Sequence, residues 1–297
     1  MTDRALLIAN PAAGGGRCGR LLDAAVRRVR DGGLPLDVQR TDGPGHATQL
    51  AAAAVADGRP LVLSAGGDGT FFEVLNGVMP ATGPRPALGA IPLGTGNSFL
   101  RDFQIRDADA AFTALRRGVR RRVDVIRAEH TTGQLWFINL LSLGFVSGVG
   151  AMTNRRFKPL GPAGYAVATV IGIARLRYHT IPVSLDGGPT DAAPVIFYSF
   201  NNSRCTGGDM QMAPNARVDD GQIDVIRVGA MSRLQLLATF PRIYQGRHLE
   251  NPVVTEDRAA EVQLDLPGPV DLMVDGEILT HHLTRLVIEP GAVEVIA

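Results

Sequence analysis

The rhythm of apolar and polar positions changes partway along the chain. Residues 5–9 are a short apolar run ending at Asn10-Pro11, the pattern of a strand entering a turn. Residues 19–30 carry Leu21, Leu22, Ala25, Val26 and Val29 at helical spacing. A strand at 36–40, an alanine-rich helix at 46–56 stopped by Asp57-Gly58, and a strand at 61–64 bounded by Gly66-Gly67 follow. A helix over 70–77, a strand over 87–92, a helix from Gly96 to about Phe103 and a helix over 107–118 complete this part. Such alternation predicts an α/β domain with a mostly parallel sheet and helices on both faces.

After Val123 strand-like runs dominate, at 123–129, 135–139, 181–185, 195–200, 223–228, 261–266, 270–274 and 286–289. Turn residues such as Asp186-Gly187-Gly188 and Asp220-Gly221 separate many of them. The expectation is an antiparallel β-sandwich, interrupted by helices at about 163–178 and 232–245. Two domains are expected: 1–125, to which residues of about 290–297 are free to return, and 126–289.

Composition narrows the class. Of 297 residues, 45% are hydrophobic and 20% charged, which is globular. The net charge of +1 offers no case for nucleic acid. Cys18 and Cys205 make neither a metal spacing nor a disulfide framework, as expected in a reducing, cytoplasmic setting. The N-terminal apolar stretch is too short for a signal peptide, and no apolar run approaches the roughly 18–20 residues of a membrane helix. Lys158 is the only lysine among many arginines; it has no assigned role. His281-His282 is expected in a surface loop.

Three glycine-rich turns each follow a strand: Asn10-Pro11-Ala12-Ala13-Gly14-Gly15-Gly16, Gly66-Gly67-Asp68-Gly69-Thr70, and Pro92-Leu93-Gly94-Thr95-Gly96-Asn97. In a parallel sheet these lie at the carboxyl ends of strands, where such folds bind ligands. Glycine lets backbone N–H groups approach phosphate oxygens, and the following helix aims its positive end there. A buried strand running into Gly-Gly-Asp-Gly-Thr has no packing purpose legible in the sequence. It suits a phosphate cradle with a carboxylate placed to reach Mg²⁺. No Walker A pattern is present, so a lysine does not hold the phosphates. Asp275-Gly276 follows an apolar strand and reads alone as a hairpin turn.

These turns, in this order, resemble the diacylglycerol kinase catalytic family, which includes bacterial lipid kinases and sphingosine and ceramide kinases and has an NAD kinase-like architecture. The likeness extends through Thr41, Gly45-His46-Ala47, Glu73, Asn139, Gly144-Phe145, Asp219-Asp220-Gly221, Asp224-Val225 and Asp275-Gly276-Glu277. It implies an ATP-dependent kinase of a lipid hydroxyl, with diacylglycerol or a sphingoid-type lipid as acceptor. Asn10, Thr41, Gly66, Gly67, Asp68, Gly69, Thr70, Glu73, Gly94, Thr95, Gly96 and Asn97 would line the nucleotide site. Asp68 and Asp124 would serve the catalytic Mg²⁺. Asp275 would be the general base, with Glu277 beside it and the active site in the cleft between domains. A separate structural Mg²⁺ would fall on Asp220 with carbonyls of Arg217 and Gln222. Phe72 and Ser98 depart from the family's usual Asn and Asp.

The implied partner is a membrane lipid met by reversible, peripheral binding; a homodimer stays open. The stretch 232–248 suits either an interfacial helix or one that packs on the core. A kinase of a soluble substrate such as NAD, and a nucleotide-binding regulator without turnover, remain alternatives.

Overall fold

The computed structural model describes residues 4–152 and 171–297, with side chains described outside 149–170. Lys158 and the first part of the helix expected over 163–178 lie outside the described residues; residues 171–174 are helical. The chain divides into two compact units. One holds residues 1–125, 136–138 and 289–297, the other 126–135 and 139–288.

In the first unit, β1 (Ala5–Ala9), β2 (Leu36–Arg40), β3 (Leu61–Gly66) and β4 (Ala87–Pro92) form a parallel sheet in the order β2-β1-β3-β4. Every residue of β1 and β3 is buried, as expected of parallel strands covered on both faces. Val295, near the end of the long strand Leu283–Ile296, pairs in parallel with Leu88 of β4. Helices α1 (Arg17–Asp31), α2 (His46–Ala56), α3 (Asp68–Val78) and α4 (Ala108–Arg117) link or follow the strands. α1 buries Cys18, Leu22, Ala25, Val26 and Val29, much of the stripe that its periodicity predicts. Because the order reverses between β1 and β3, the turns leaving these two strands diverge from a topological switch point.

The second unit holds a six-stranded antiparallel sheet, in the order Val254–Ala259, Ile223–Gly229, Val195–Asn201, Leu140–Gly144, Val270–Val274, Glu277–His281. Opposite it, Glu261–Leu264 pairs antiparallel with Val183–Leu185 and with the start of Leu283–Ile296. The sandwich expectation is met.

Several elements differ in detail. The run expected as one strand at 135–139 is Gly133–Phe137, and a second strand, Leu140–Gly144, follows at once and leads into a helix, Phe145–Met152. The segment after Gly96 is a short 3-10 helix, Phe99–Phe103, which starts only after Ser98, whose N–H is taken by the Asp68 carboxylate of the neighbouring turn. Val254–Ala259 and Glu277–His281 are strands whose mixed polar composition hid them. His281 ends a strand and stacks on His130 at 4.0 Å, and half-buried His282 donates from Nε2 to the Leu266 carbonyl, so the pair does not form a free surface loop.

Candidate active site

The three glycine turns meet at the carboxyl edge of the parallel sheet, and backbone contacts lock them together. Gly94 N–H donates to Gly66 O at 2.7 Å, and Asp68 N–H donates to Gly96 O at 3.0 Å. A Cβ on Gly94 would sit 2.6 Å from Gly67 N and 2.8 Å from both Gly66 C and Gly67 Cα. One on Gly67 would meet Gly96 O at 2.8 Å, and one on Gly66 would meet the Thr70 hydroxyl at 2.3 Å. One on Gly14 would meet Leu93 O at 3.2 Å, so the first turn also reaches the third. Asn10 joins the first turn to the second: its N–H donates to Ala65 O at 2.9 Å and its side-chain amide to the Thr70 hydroxyl at 3.4 Å. Gly66-Gly67-Asp68-Gly69-Thr70 therefore does have a packing purpose. Glycine is needed at 67 and 94 for the turns to touch and at 66 to clear the Thr70 side chain of the same turn, quite apart from any ligand.

Asp68 opens α3, where a negative charge is favoured by the helix dipole. Both of its carboxylate oxygens accept from Ser98 N–H at 3.0 Å. Burial pushes its pKa up, while bonds from the backbone and hydroxyl of Ser98 and the backbone of Phe99 pull it down. Ser98, buried and overlooked as a working residue, is the main partner of this carboxylate. Its position directly after Gly-Thr-Gly-Asn was the available signal.

Glu73, one turn further along α3, accepts from Gly45 N–H at 2.9 Å and from Ala47 N–H at 3.1 Å. It caps the start of α2 and so anchors the Gly45-His46-Ala47 turn to α3. Thr41 N–H donates to Ala9 O at 2.8 Å, which sets Thr41 beside the first glycine turn at the end of β2. Gly69, Thr95 and Asn97 lie within the interlocked turns; Asn97 lines a narrow hollow with Ser64, Gly66, Asp68 and Phe71. Phe72 is buried in α3. Asp124, also buried, accepts from Gly291 N–H at 2.7 Å.

In the second unit, Asp275 and Gly276 form the two-residue loop between Val270–Val274 and Glu277–His281, with φ of 46° and 89°. Both positive angles mark a type I′ hairpin. The hairpin reading is therefore correct, but the Asp275 side chain is unlike that of an ordinary exposed tip. Only 2% of the residue is exposed, and its Oδ1 accepts from Asn139 N–H at 3.0 Å and Leu140 N–H at 2.9 Å. Asn139 in turn accepts from Asn202 N–H through its carbonyl, at 2.9 Å, and from the Ser203 hydroxyl through its side chain. Glu277 pairs across the hairpin with Val274 and is exposed. Asp220 Oδ1 accepts from Gln222 N–H at 3.2 Å, and its other oxygen lies 3.9 Å from Arg258; Arg217 pairs loosely with Asp219.

Among the described residues no group of three or more His, Cys, Asp and Glu side chains stands ready to hold a metal ion. Mg²⁺ in phosphoryl transfer is held by one or two carboxylates together with substrate phosphates, and the Asp68 carboxylate at the start of α3, beside the glycine turns, is a donor of that kind.

Interlocked glycine turns at a topological switch point, with a carboxylate at a helix start, have the form of a phosphate-binding α/β site. Comparison with known proteins gives the family. The model of the diacylglycerol kinase catalytic domain matches residues 4–128, and that of the YegS C-terminal NAD kinase beta sandwich-like domain matches 139–297. A diacylglycerol kinase of Mycobacterium tuberculosis is 32% identical over 293 residues, covering 97% of this chain and 93% of the relative. A protein of Cronobacter sakazakii, named a probable YegS-like lipid kinase, is 29% identical over 92% of this chain and 90% of its own length. In fold, the chain matches a solved structure of a candidate diacylglycerol kinase from Bacillus anthracis str. Sterne, with a TM-score of 0.81 at 24% identity over 99% of this chain and 95% of that one. The chain belongs to the diacylglycerol kinase catalytic family of lipid kinases. Among the described residues no helix is long and apolar enough to cross a membrane.

Proposed function

We propose that the protein transfers the γ-phosphate of ATP to a hydroxyl group of a membrane lipid of the diacylglycerol or sphingoid class. The observation that carries this is the interlocking of the 66–70 and 94–97 turns around Asp68, in a chain of lipid kinase family. Phosphoryl transfer asks mainly for positioning and charge neutralisation. The turns and the α3 N-terminus hold the phosphates; Asp68 would hold Mg²⁺, with Asp124 as the second carboxylate, and the ion would supply charge neutralisation. Asp275 accepts the proton of the attacking hydroxyl. Its two backbone donors fix the carboxylate direction, so little reorganisation is left for the reaction. Glu277 is the second carboxylate of that hairpin. The Asp220 turn, with the carbonyls of Arg217 and Gln222, is the candidate for a structural cation.

ADP release tests it. Release from ATP that rises on adding a total lipid extract, and does not rise with NAD, supports the reading. Release that follows NAD and ignores lipid overturns it, as does ATP binding without any lipid-dependent release.

A further inference from the structure

The helical run that begins with α6 (Arg233–Thr239; the helix Phe145–Met152 being α5) and continues as a 3-10 helix, Phe240–Gln245, has two apolar sides. Leu236 and Ile243 face inward and join the core of the second unit with Met212, Ile226 and Met231. On the other side Leu234 is 79% exposed, Leu237 45% and Tyr244 53%. With exposed Pro241 between them, the spacing is 3-4-3, which keeps all four on one side of a helical run. Single exposed leucines need no explanation, but a contiguous stripe of this kind marks an interaction surface. Tyr178, 54% exposed, extends it, because its hydroxyl donates to Met231 O at 3.1 Å.

The surroundings of the stripe choose the occupant. Arg233, Arg242 and Arg247 lie along the run, and exposed Arg175 and Arg177 flank Tyr178. From Gly229 to Leu249 the chain carries no acid. The next residue, Glu250, is taken up by Arg247 at 2.7 Å and Arg242 at 3.8 Å. A second copy joined through the same patch would set these arginines against themselves, because a two-fold interface is self-complementary. An anionic bilayer has the matching pattern, a charged surface above an apolar interior. A capping box between Ser232 and Gln235 fixes the start of the run, so the stripe is presented ready-formed.

We propose that this stripe, with its arginine rim, is the surface by which the protein docks on anionic membranes. The proposal gives the lipid-kinase reading its route to the acceptor and rests on that reading only for its purpose. The test therefore uses vesicles that contain no acceptor lipid. Wild type, Leu234→Ser/Leu237→Ser and Arg233→Glu/Arg242→Glu are sedimented with phosphatidylserine–phosphatidylcholine vesicles, whose headgroups carry no free hydroxyl, and with phosphatidylcholine alone, without ATP. The expected result is binding to the anionic vesicles that falls about tenfold or more in each variant. Leu234→Trp supplies a second readout, since Trp136 is buried: its emission should shift to the blue on anionic vesicles only. Variants that bind as wild type, a Leu234→Trp emission indifferent to vesicles, or a wild-type dimer that the serine variant splits would each overturn the proposal. A protein that docks but phosphorylates no lipid leaves docking standing and removes the kinase reading; one that phosphorylates lipid in detergent but never docks does the reverse.

Discussion

Replacing Gly94 by alanine should loosen the candidate site from within. The added methyl group would stand 2.6 Å from Gly67 N and 2.8 Å from Gly66 C and Gly67 Cα, all backbone atoms with no side-chain end free to swing away. Ordinary contact begins near 3.5–4.0 Å between carbon atoms, so the two turns must part by about 1 Å. That displacement breaks or stretches the 2.7 Å bond from Gly94 N–H to Gly66 O. Overpacking costs about 1–3 kcal/mol and the lost bond about 1 kcal/mol more, so roughly 2–4 kcal/mol is at stake. If part of that strain is relieved by turns that no longer fit phosphate, ATP affinity falls at least about tenfold, which 1.4 kcal/mol suffices to produce. Thermal melting and calorimetric titration with ATP measure both effects on one sample. Gly83→Ala is the control, since its Cβ would meet nothing within 4 Å. A Gly94→Ala protein with wild-type melting and wild-type ATP affinity would refute the claim that contact between the turns shapes the site.

Three further outcomes are expected. Asp68→Ala should lose about 10²–10³ in turnover and also melt lower by about 1–3 kcal/mol, because the Ser98 N–H loses its acceptor; melting and ADP release are the measurements. Asp275→Asn keeps an oxygen for Asn139 and Leu140 N–H, so fold and ATP affinity should survive while kcat drops about 10²–10⁴, read by comparing ATP titration with steady-state rates. Burial lowers the pKa of His248, whose Nε2 donates to Met212 O, so its contribution to stability is complete above the unfolded value of 6.5 and is lost as pH falls below it. Melting temperature should therefore carry a declining contribution from His248 on acidification from pH 7, joined by His130 and His179, which burial also lowers, and opposed by Asp224, which burial raises to about 6; His248→Gln should remove the His248 share of the decline.

Much of the first unit was legible because each strand and helix carries its own period and ends on a glycine or proline. Ala5–Ala9, Leu36–Arg40, His46–Ala56 and Ala87–Pro92 match the pattern residue for residue. Strand Glu277–His281 was not legible, since Glu277, Thr280 and His281 face polar surroundings and the strand exists through its hairpin partner. The turn at 66–70 shows the limit at the site. Sequence marks it as a phosphate cradle, but the need for glycine at 66 and 67 comes from Thr70 and from a turn some 30 residues away. Asp68 likewise was visible as a carboxylate, while its hold on Ser98 depends on two turns meeting in space. At Asp275 the Asp-Gly pair gave the hairpin correctly; burial of the side chain beneath Asn139 and Leu140 depends on a strand 135 residues earlier.

The most direct test of the account follows the phosphate itself. The protein is incubated with γ-labelled ATP and a total lipid extract, the phases are separated, and the labelled product is identified. The account predicts a lipid-soluble phosphomonoester that is absent when lipid is omitted and absent with Asp275→Asn. Label confined to the aqueous phase, or transferred to NAD in place of lipid, would contradict it.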